Sequence, residues 1–131
     1  MPNAAEVSFS LFGEGVDPSV LTREIGLTPT SLRQEHTRST TQTRWTLTLG
    51  PVEGGVLDVY EMAANLVATL RPHQADILRV KLASGLEAML QVVLRIDASA
   101  ESAPMAIGFE PEVVAFLALV GASIDIDTYL H

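Results

Sequence analysis

Three side chains that bind cations or transfer protons stand close together near the end of the chain. Asp125, Asp127 and Tyr129 alternate with other residues, so a strand places all three on one face. Carboxylates two residues apart on a strand lie about 6.5–7 Å apart, which suits flanking a hard cation or sharing acid and base roles. The alternative is a polar sheet face, where these carboxylates meet water or pair with Arg44 or Arg95. A lone Asp-x-Asp pattern favours this alternative.

A second candidate is a basic segment in an otherwise acidic chain. Residues 28–45 carry three arginines and one glutamate, whereas the whole chain of 131 residues has a net charge of −8. Arginine binds carboxylate and phosphate through paired hydrogen bonds, so Arg38 and Arg44 are predicted anion-binding residues. Trp45 follows them and is suited to stacking on an aromatic ring or a guanidinium. The alternative is a solvated loop whose arginines pair with the chain's own carboxylates. Trp45 would then lie in the core, because it is on the same strand face as Leu47.

Several kinds of catalytic and metal site are disfavoured by residue types that the chain lacks. It has no cysteine, which excludes disulfides, thiolate metal sites and a cysteine nucleophile. The three histidines have no metal-ligand spacing, and neither a G-x-S-x-G elbow nor a phosphate-binding glycine loop occurs. We therefore predict no metal, no cofactor and no catalytic set. An enzyme that uses Asp125, Asp127 and His36 stays open as a minor alternative.

The elements that position these residues follow from the hydrophobic periodicity. Alternating apolar residues predict five strands, at residues 7–12, 44–49, 86–97, 105–109 and 123–130. Prolines at helix starts, glycines at helix ends and the helical spacing of apolar residues predict three helical regions. They are residues 18–25, residues 57–84 with an interruption at Pro72, and residues 111–120. The polar residues 28–43 are predicted to form a long loop.

The order of these elements predicts the fold class. The order β-α-β-α-β-β-α-β indicates a single α+β domain over residues 1–131, and it resembles a ferredoxin-like split arrangement with an extra helix. We expect a mixed, largely antiparallel sheet of about five strands with helices packed on one face. The other face is predicted to be partly polar and to carry Thr46, Thr48, Gln91, Arg95, Asp125 and Asp127.

Composition limits the partners and the location. The net charge of −8 disfavours nucleic acid and anionic membrane surfaces. The longest uncharged apolar run, residues 113–124, is far shorter than the roughly 20 residues that span a bilayer. The first residues show no secretory pattern, so we expect a cytoplasmic protein. A mean hydropathy of +0.28 fits either a dense core or an apolar face for a homodimer or another protein partner.

Three sequence features together resemble a known family. They are the run IGLTPT at residues 25–30, the lone Trp45, and the Asp-x-Asp-x-Tyr pattern at residues 125–129. The chain resembles, over nearly its whole length, the small bacterial family called domain of unknown function 4279. Residues 56–84 match the family only in pattern. The resemblance supports the α+β fold, and the family brings no established activity, substrate or cofactor.

Two binding hypotheses follow. The favoured one is a non-enzymatic binding or protein-interaction domain, for example one that masks a basic partner as an immunity protein does. The other is a small-ligand or anion-sensing regulatory domain, in which Arg38, Arg44 and Trp45 act together with Asp125 and Asp127. The first needs a protein partner, whereas the second needs a small molecule.

Overall fold

A five-stranded sheet organises the computed structural model, which describes residues 2–99 and 105–131. The strands are β1 (Ala4–Glu14), β2 (Ser31–His36), β3 (Thr41–Glu53), β4 (Leu57–Asp58), β5 (Glu87–Ile96), β6 (Met105–Ala106) and β7 (Ala122–Leu130). The helices are α1 (Pro18–Ile25), α2 (Val59–Leu70), α3 (Gln74–Ser84) and α4 (Pro111–Val120), with a 3-10 turn at Arg71–His73. The predicted α+β class is confirmed.

The strand order in the main sheet is β2-β3-β1-β5-β7. All neighbours are antiparallel except β5 and β7, which run parallel, so the predicted mixed and largely antiparallel sheet is confirmed. Strands β1 and β2 point in the same direction with β3 between them. The unit β1-α1-β2 is therefore a split β-α-β unit. The sequence predicts a split arrangement, but with residues 44–49 as the second strand of this unit.

The core lies between the helices and one face of the sheet. Alternate residues of β1 and β5 are buried there, and they join buried side chains of all four helices in one cluster. At its centre, the ring of Phe9 on β1 meets the ring of Phe116 on α4 edge to face, with centroids 5.7 Å apart. Trp45 of β3 belongs to the same cluster and is fully buried, as expected for a residue on the same strand face as Leu47.

The helix ends follow from capping residues in the sequence. Asp17 accepts hydrogen bonds from the amide and the hydroxyl of Ser19, at 2.9 and 2.8 Å, and these bonds lower the pKa of Asp17. Gly121 ends α4 with φ of +66°, a conformation that favours glycine, and the chain enters β7 at the next residue. No helix within the described residues is both long and apolar enough to cross a bilayer.

Two local predictions are wrong. Residues 31–36 form strand β2 instead of loop, in a hairpin with β3 whose turn is closed by the Thr37 amide donating to the Thr40 carbonyl, at 2.8 Å. Leu32 is the one apolar residue of β2, so the strand has no hydrophobic alternation that sequence analysis can detect.

The second wrong prediction concerns the strand after β5. The sequence predicts a hairpin partner at 105–109, but β6 covers only Met105–Ala106 and pairs in parallel with β4, outside the main sheet. Of the predicted connection at 98–104, residues 100–104 lie outside the described residues.

Candidate functional site

The sheet face opposite the helices, here called the open face, holds a shallow polar groove of about 550 Å³. Every strand of the main sheet contributes to its lining, because successive side chains of a strand point to opposite faces. The predicted polar face is confirmed, since the lining includes Thr46, Thr48, Gln91 and Asp125.

Two arginines form the basic end of the groove. Arg33 on β2 stands directly opposite Arg44 on β3. The guanidinium carbon of Arg44 lies 4.5 Å from the ring centroid of Phe12, which supports the guanidinium from one side. Among the described residues, the ion pairs within 4.0 Å all belong to Arg79, so neither Arg33 nor Arg44 has a carboxylate partner. Like charges directly opposite each other destabilise a sheet, so this pair costs stability unless an anion joins it.

Hydroxyl groups form the floor of the groove. Ser8 and Ser10 of β1 are buried although no helix covers them, because the longer side chains of β3 and β5 stand on either side. The hydroxyls of Ser10 and Thr46 lie 2.9 Å apart, within hydrogen-bond distance. Hydroxyls both donate and accept, so the floor can bind polar groups of either kind.

The acidic end of the open face lies on β7. Gln91 of β5 donates hydrogen bonds from Nε2 to Asp127 at 2.8 Å and to Asp125 at 3.3 Å. Beside them, the guanidinium carbon of Arg95 lies 5.1 Å from the ring centroid of Tyr129. These contacts hold both carboxylates in place on the face without neutralising their charge.

The basic and acidic ends do not reach each other. Strands β1 and β5 lie between β3 and β7, so the two ends are about 14 Å apart across the sheet. The sequence-based alternative in which Arg44 pairs with Asp125 or Asp127 does not occur.

The structure distributes the predicted site residues over three places. Arg44 and Asp125 line the groove, and Asp127 and Tyr129 extend from the same face of β7. Trp45 is fully buried on the helix-covered face and does not contribute to the groove. Arg38 is exposed in the turn between β2 and β3, outside the groove lining.

Arg33 belongs to the basic segment that the sequence offers as an anion site, but sequence reasoning does not single it out as a site residue. The sequence predicts a loop at residues 31–36, and a loop assigns Arg33 neither a face nor a neighbour. The signal that identifies it is polar rather than apolar: Ser31, Arg33 and Glu35 alternate with other residues, and all three lie on one face of β2. A second groove of about 300 Å³ on the other side of the arginines is also lined by Arg33 and Arg44.

The residues of the minor enzyme alternative are not brought together. His36 lies on edge strand β2, whereas Asp125 and Asp127 lie on β7 at the opposite edge, about 19 Å away across the sheet. The Nδ1 atom of His36 is 3.1 Å from the hydroxyl of Thr41. Within residues 2–99 and 105–131, no three histidine, aspartate or glutamate side chains are placed to hold a metal ion.

A comparison with family models matches residues 3–131, nearly the whole chain, to a family described as a domain of unknown function, DUF4279. The chain belongs to this family. The resemblance seen in the sequence is thereby confirmed, and the matched range of the DUF4279 domain includes all strands of the open face. No curated protein matches the chain, and no solved structure matches it.

Proposed function

We propose that this DUF4279 domain is a non-enzymatic binding domain that holds a small anionic molecule in the groove of its open face. The observation that carries the proposal is the pair of arginines, Arg33 and Arg44, which stand directly opposite each other without a carboxylate partner in the described chain. A carboxylate or phosphate between two guanidinium groups accepts charge-assisted hydrogen bonds from both. It also removes their mutual repulsion.

The rest of the groove favours a polar ligand. The hydroxyls of Ser8, Ser10 and Thr46 offer hydrogen bonds to the body of the molecule, and Asp125 accepts from a hydroxyl or amino group at its far end. High-affinity small-molecule sites are usually enclosed and mostly apolar, whereas this groove is shallow and polar. We therefore expect weak, reversible binding, with a Kd on the order of 0.1–1 mM. Such an affinity is appropriate for a sensor of an abundant metabolite.

Thermal unfolding in the presence of defined anions tests this function. Inorganic phosphate and a dicarboxylate such as malonate serve as probes, with sodium chloride at matched ionic strength as the reference. A ligand that binds only the folded chain raises Tm by mass action, so millimolar phosphate or malonate is expected to raise it above the chloride reference. The variants Arg33→Gln and Arg44→Gln should each remove this increase.

Arg38→Gln is the matched control, because Arg38 is an exposed arginine of the same hairpin that does not line the groove. It should respond to phosphate as the unmodified chain does. Equal Tm in phosphate, malonate and chloride would contradict the proposal. So would an increase that persists in both Arg33→Gln and Arg44→Gln.

A second candidate function is contact with another protein. Val114 and Leu119 on α4, and Ile124 and Ile126 on β7, are all about half exposed, which is a large apolar area for so small a domain. The net charge of −8 favours association with a basic protein, because complementary charge speeds encounter. These features support the interaction domain inferred from the sequence, including one that masks a basic partner.

A further inference from the structure

Strand β7 has a long free edge. It is the outermost strand of the sheet, and among the described residues it pairs only with β5, in unbroken register from Ala122 to Leu130. Edge strands of natural sheets are usually protected by charged side chains, above all lysine, by proline, by a bulge or by a covering segment. Residues 122–130 contain neither lysine nor proline, and their pairing with β5 has no bulge. The charges on this edge are the carboxylates of Asp125 and Asp127, which disfavour an acidic partner strand but not a basic one. The backbone groups along the outer edge are therefore suited to pairing with another strand.

The two faces of β7 differ in chemistry. Ile124 and Ile126 lie on the helix side, opposite the buried Leu90 and Val92 of β5, yet they are 44% and 45% exposed because no further strand lies beside them. A strand added at this edge would cover both isoleucines. On the other face, Asp125 and Asp127 present carboxylates to whatever lies beside β7.

A second copy of the chain does not fit this edge. Two copies of β7 related by a two-fold axis would pair antiparallel, with directly opposite side chains on one face. If the axis passes at Ile126, Asp125 faces Asp127 of the second copy. If it passes at Asp125 or at Asp127, that residue faces its own counterpart. Carboxylates directly opposite each other are destabilising, so the three registers that pair seven or more of the residues Ala122–Leu130 are disfavoured.

We propose that β7 pairs along its free edge with an extended segment of another protein, in which basic and apolar side chains alternate. The inference rests on the second candidate function, protein contact, and specifies its partner. In such added strands, main-chain hydrogen bonds supply affinity and alternate side chains supply specificity. Lysine or arginine side chains of the partner would lie beside Asp125 and Asp127, while its apolar side chains would cover Ile124 and Ile126.

Synthetic peptides test this inference on the full chain. The probe is a fluorescently labelled peptide of nine residues that alternates valine and lysine, and the matched control replaces each lysine by glutamate. We expect the lysine peptide to bind about tenfold or more tightly than the glutamate peptide, and its affinity to fall as salt is raised. A third peptide carries N-methyl groups on all of its backbone amides, which blocks pairing along both edges. It should lose binding although its charge is unchanged.

Variants of the chain locate the binding site. Asp125→Asn combined with Asp127→Asn should weaken the lysine peptide several-fold, and Ile126→Lys should weaken it further by placing a cation on the edge. Circular dichroism confirms that these surface variants remain folded. The combination Arg33→Gln with Arg44→Gln should bind the peptide normally, because neither arginine lies near β7. The arginine pair of the anion site and the β7 edge are thus tested independently.

Four outcomes would overturn the inference. Equal binding of the lysine and glutamate peptides would show that the carboxylates do not select the partner. Binding that survives N-methylation would show a charge contact without strand pairing. Sedimentation of the unmodified chain as a dimer that Ile126→Lys dissociates would show that a second copy occupies the edge. In a further test, the unmodified chain and Ile126→Lys are each immobilised and the proteins they retain are compared. If both retain proteins equally, protein contact uses another surface. The β7 inference then falls, whereas the second candidate function does not.

Discussion

Replacing Arg33 by glutamate is expected to stabilise the fold and abolish anion binding at the same time. Arg33 and Arg44 stand directly opposite each other on β2 and β3, without a carboxylate partner in the described residues. Arg33→Glu converts this like-charge pair into an opposite-charge pair.

The magnitude follows from the geometry of the pair. Directly opposite charged residues on antiparallel strands contribute roughly 0.2–1 kcal/mol, favourable for opposite charges and unfavourable for like charges. Arg33 is exposed, so solvent and salt reduce both contributions. Losing a reduced repulsion and gaining a reduced attraction should together stabilise the chain by about 0.5–1 kcal/mol at low salt. For a domain of this size, that gain raises Tm by about 2–4 °C.

Urea unfolding followed by tryptophan fluorescence measures this change. Trp45 is the one tryptophan of the chain and is fully buried, so its emission reports the loss of the core. Measurements at about 20 mM and about 500 mM salt separate charge effects from packing effects, because added salt screens exposed pairs. Arg33→Gln, which removes the repulsion without adding an attraction, should show about half of the gain.

Arg38→Glu is the matched control for net charge. It makes the same charge change at the exposed turn of the hairpin, where Arg38 does not line the groove. It should leave the free energy of unfolding unchanged or slightly lower, because the chain is already acidic. If Arg33→Glu is no more stable than Arg38→Glu at low salt, or if its gain is equal at both salt concentrations, the assigned repulsion between Arg33 and Arg44 is wrong.

Three further predictions concern the framework that holds the open face. A double-mutant cycle of Phe9→Leu and Phe116→Leu should give a coupling of about 0.5–1.5 kcal/mol in urea unfolding, because the rings pack edge to face; additive effects would contradict this contact. Gly121→Ala should cost about 1–2 kcal/mol, since φ of +66° strains any residue with a Cβ, and an unchanged unfolding midpoint would refute the backbone assignment. Hydrogen bonds from Ser19 lower the pKa of Asp17 from its ordinary value of 3.8, so the stability from its ionised form is present above that value and is lost as pH falls through the lowered pKa. The Tm of the unmodified chain should therefore fall relative to Asp17→Asn as pH is lowered below about 4, and parallel Tm curves would contradict the assigned cap.

Strands with one buried face can be predicted because burial leaves a period of two in the sequence. The apolar alternation of β1, β5 and β7 is by itself enough to place Gln91, Asp125 and Asp127 together on the open face. In β3, the alternation of Trp45 with Leu47 and Leu49 likewise places Trp45 in the core. The polar face of the sheet is therefore accessible to local sequence reasoning.

Strand β2 cannot be predicted in this way. It is an edge strand with mostly exposed side chains, and its backbone pairing with β3 holds it in place instead of hydrophobic burial. The strand order is a further limit, because it depends on contacts between residues far apart in sequence. The sequence leaves open whether Arg44 meets Asp125, and only the position of β1 and β5 between them answers that question.

The separation of these charges explains why a net charge of −8 describes the chain poorly. If Arg33 and Arg44 lay within reach of Asp125 and Asp127, these groups would neutralise one another, and the face would have little to offer a charged partner. Two intervening strands prevent this, at about 14 Å across the sheet, a distance at which exposed charges are largely screened. Among the described residues neither end has an ion-pair partner within 4.0 Å, so the two ends can select partners of opposite sign. An anion at β2 and β3 and a basic strand at β7 are for this reason compatible occupants of one domain.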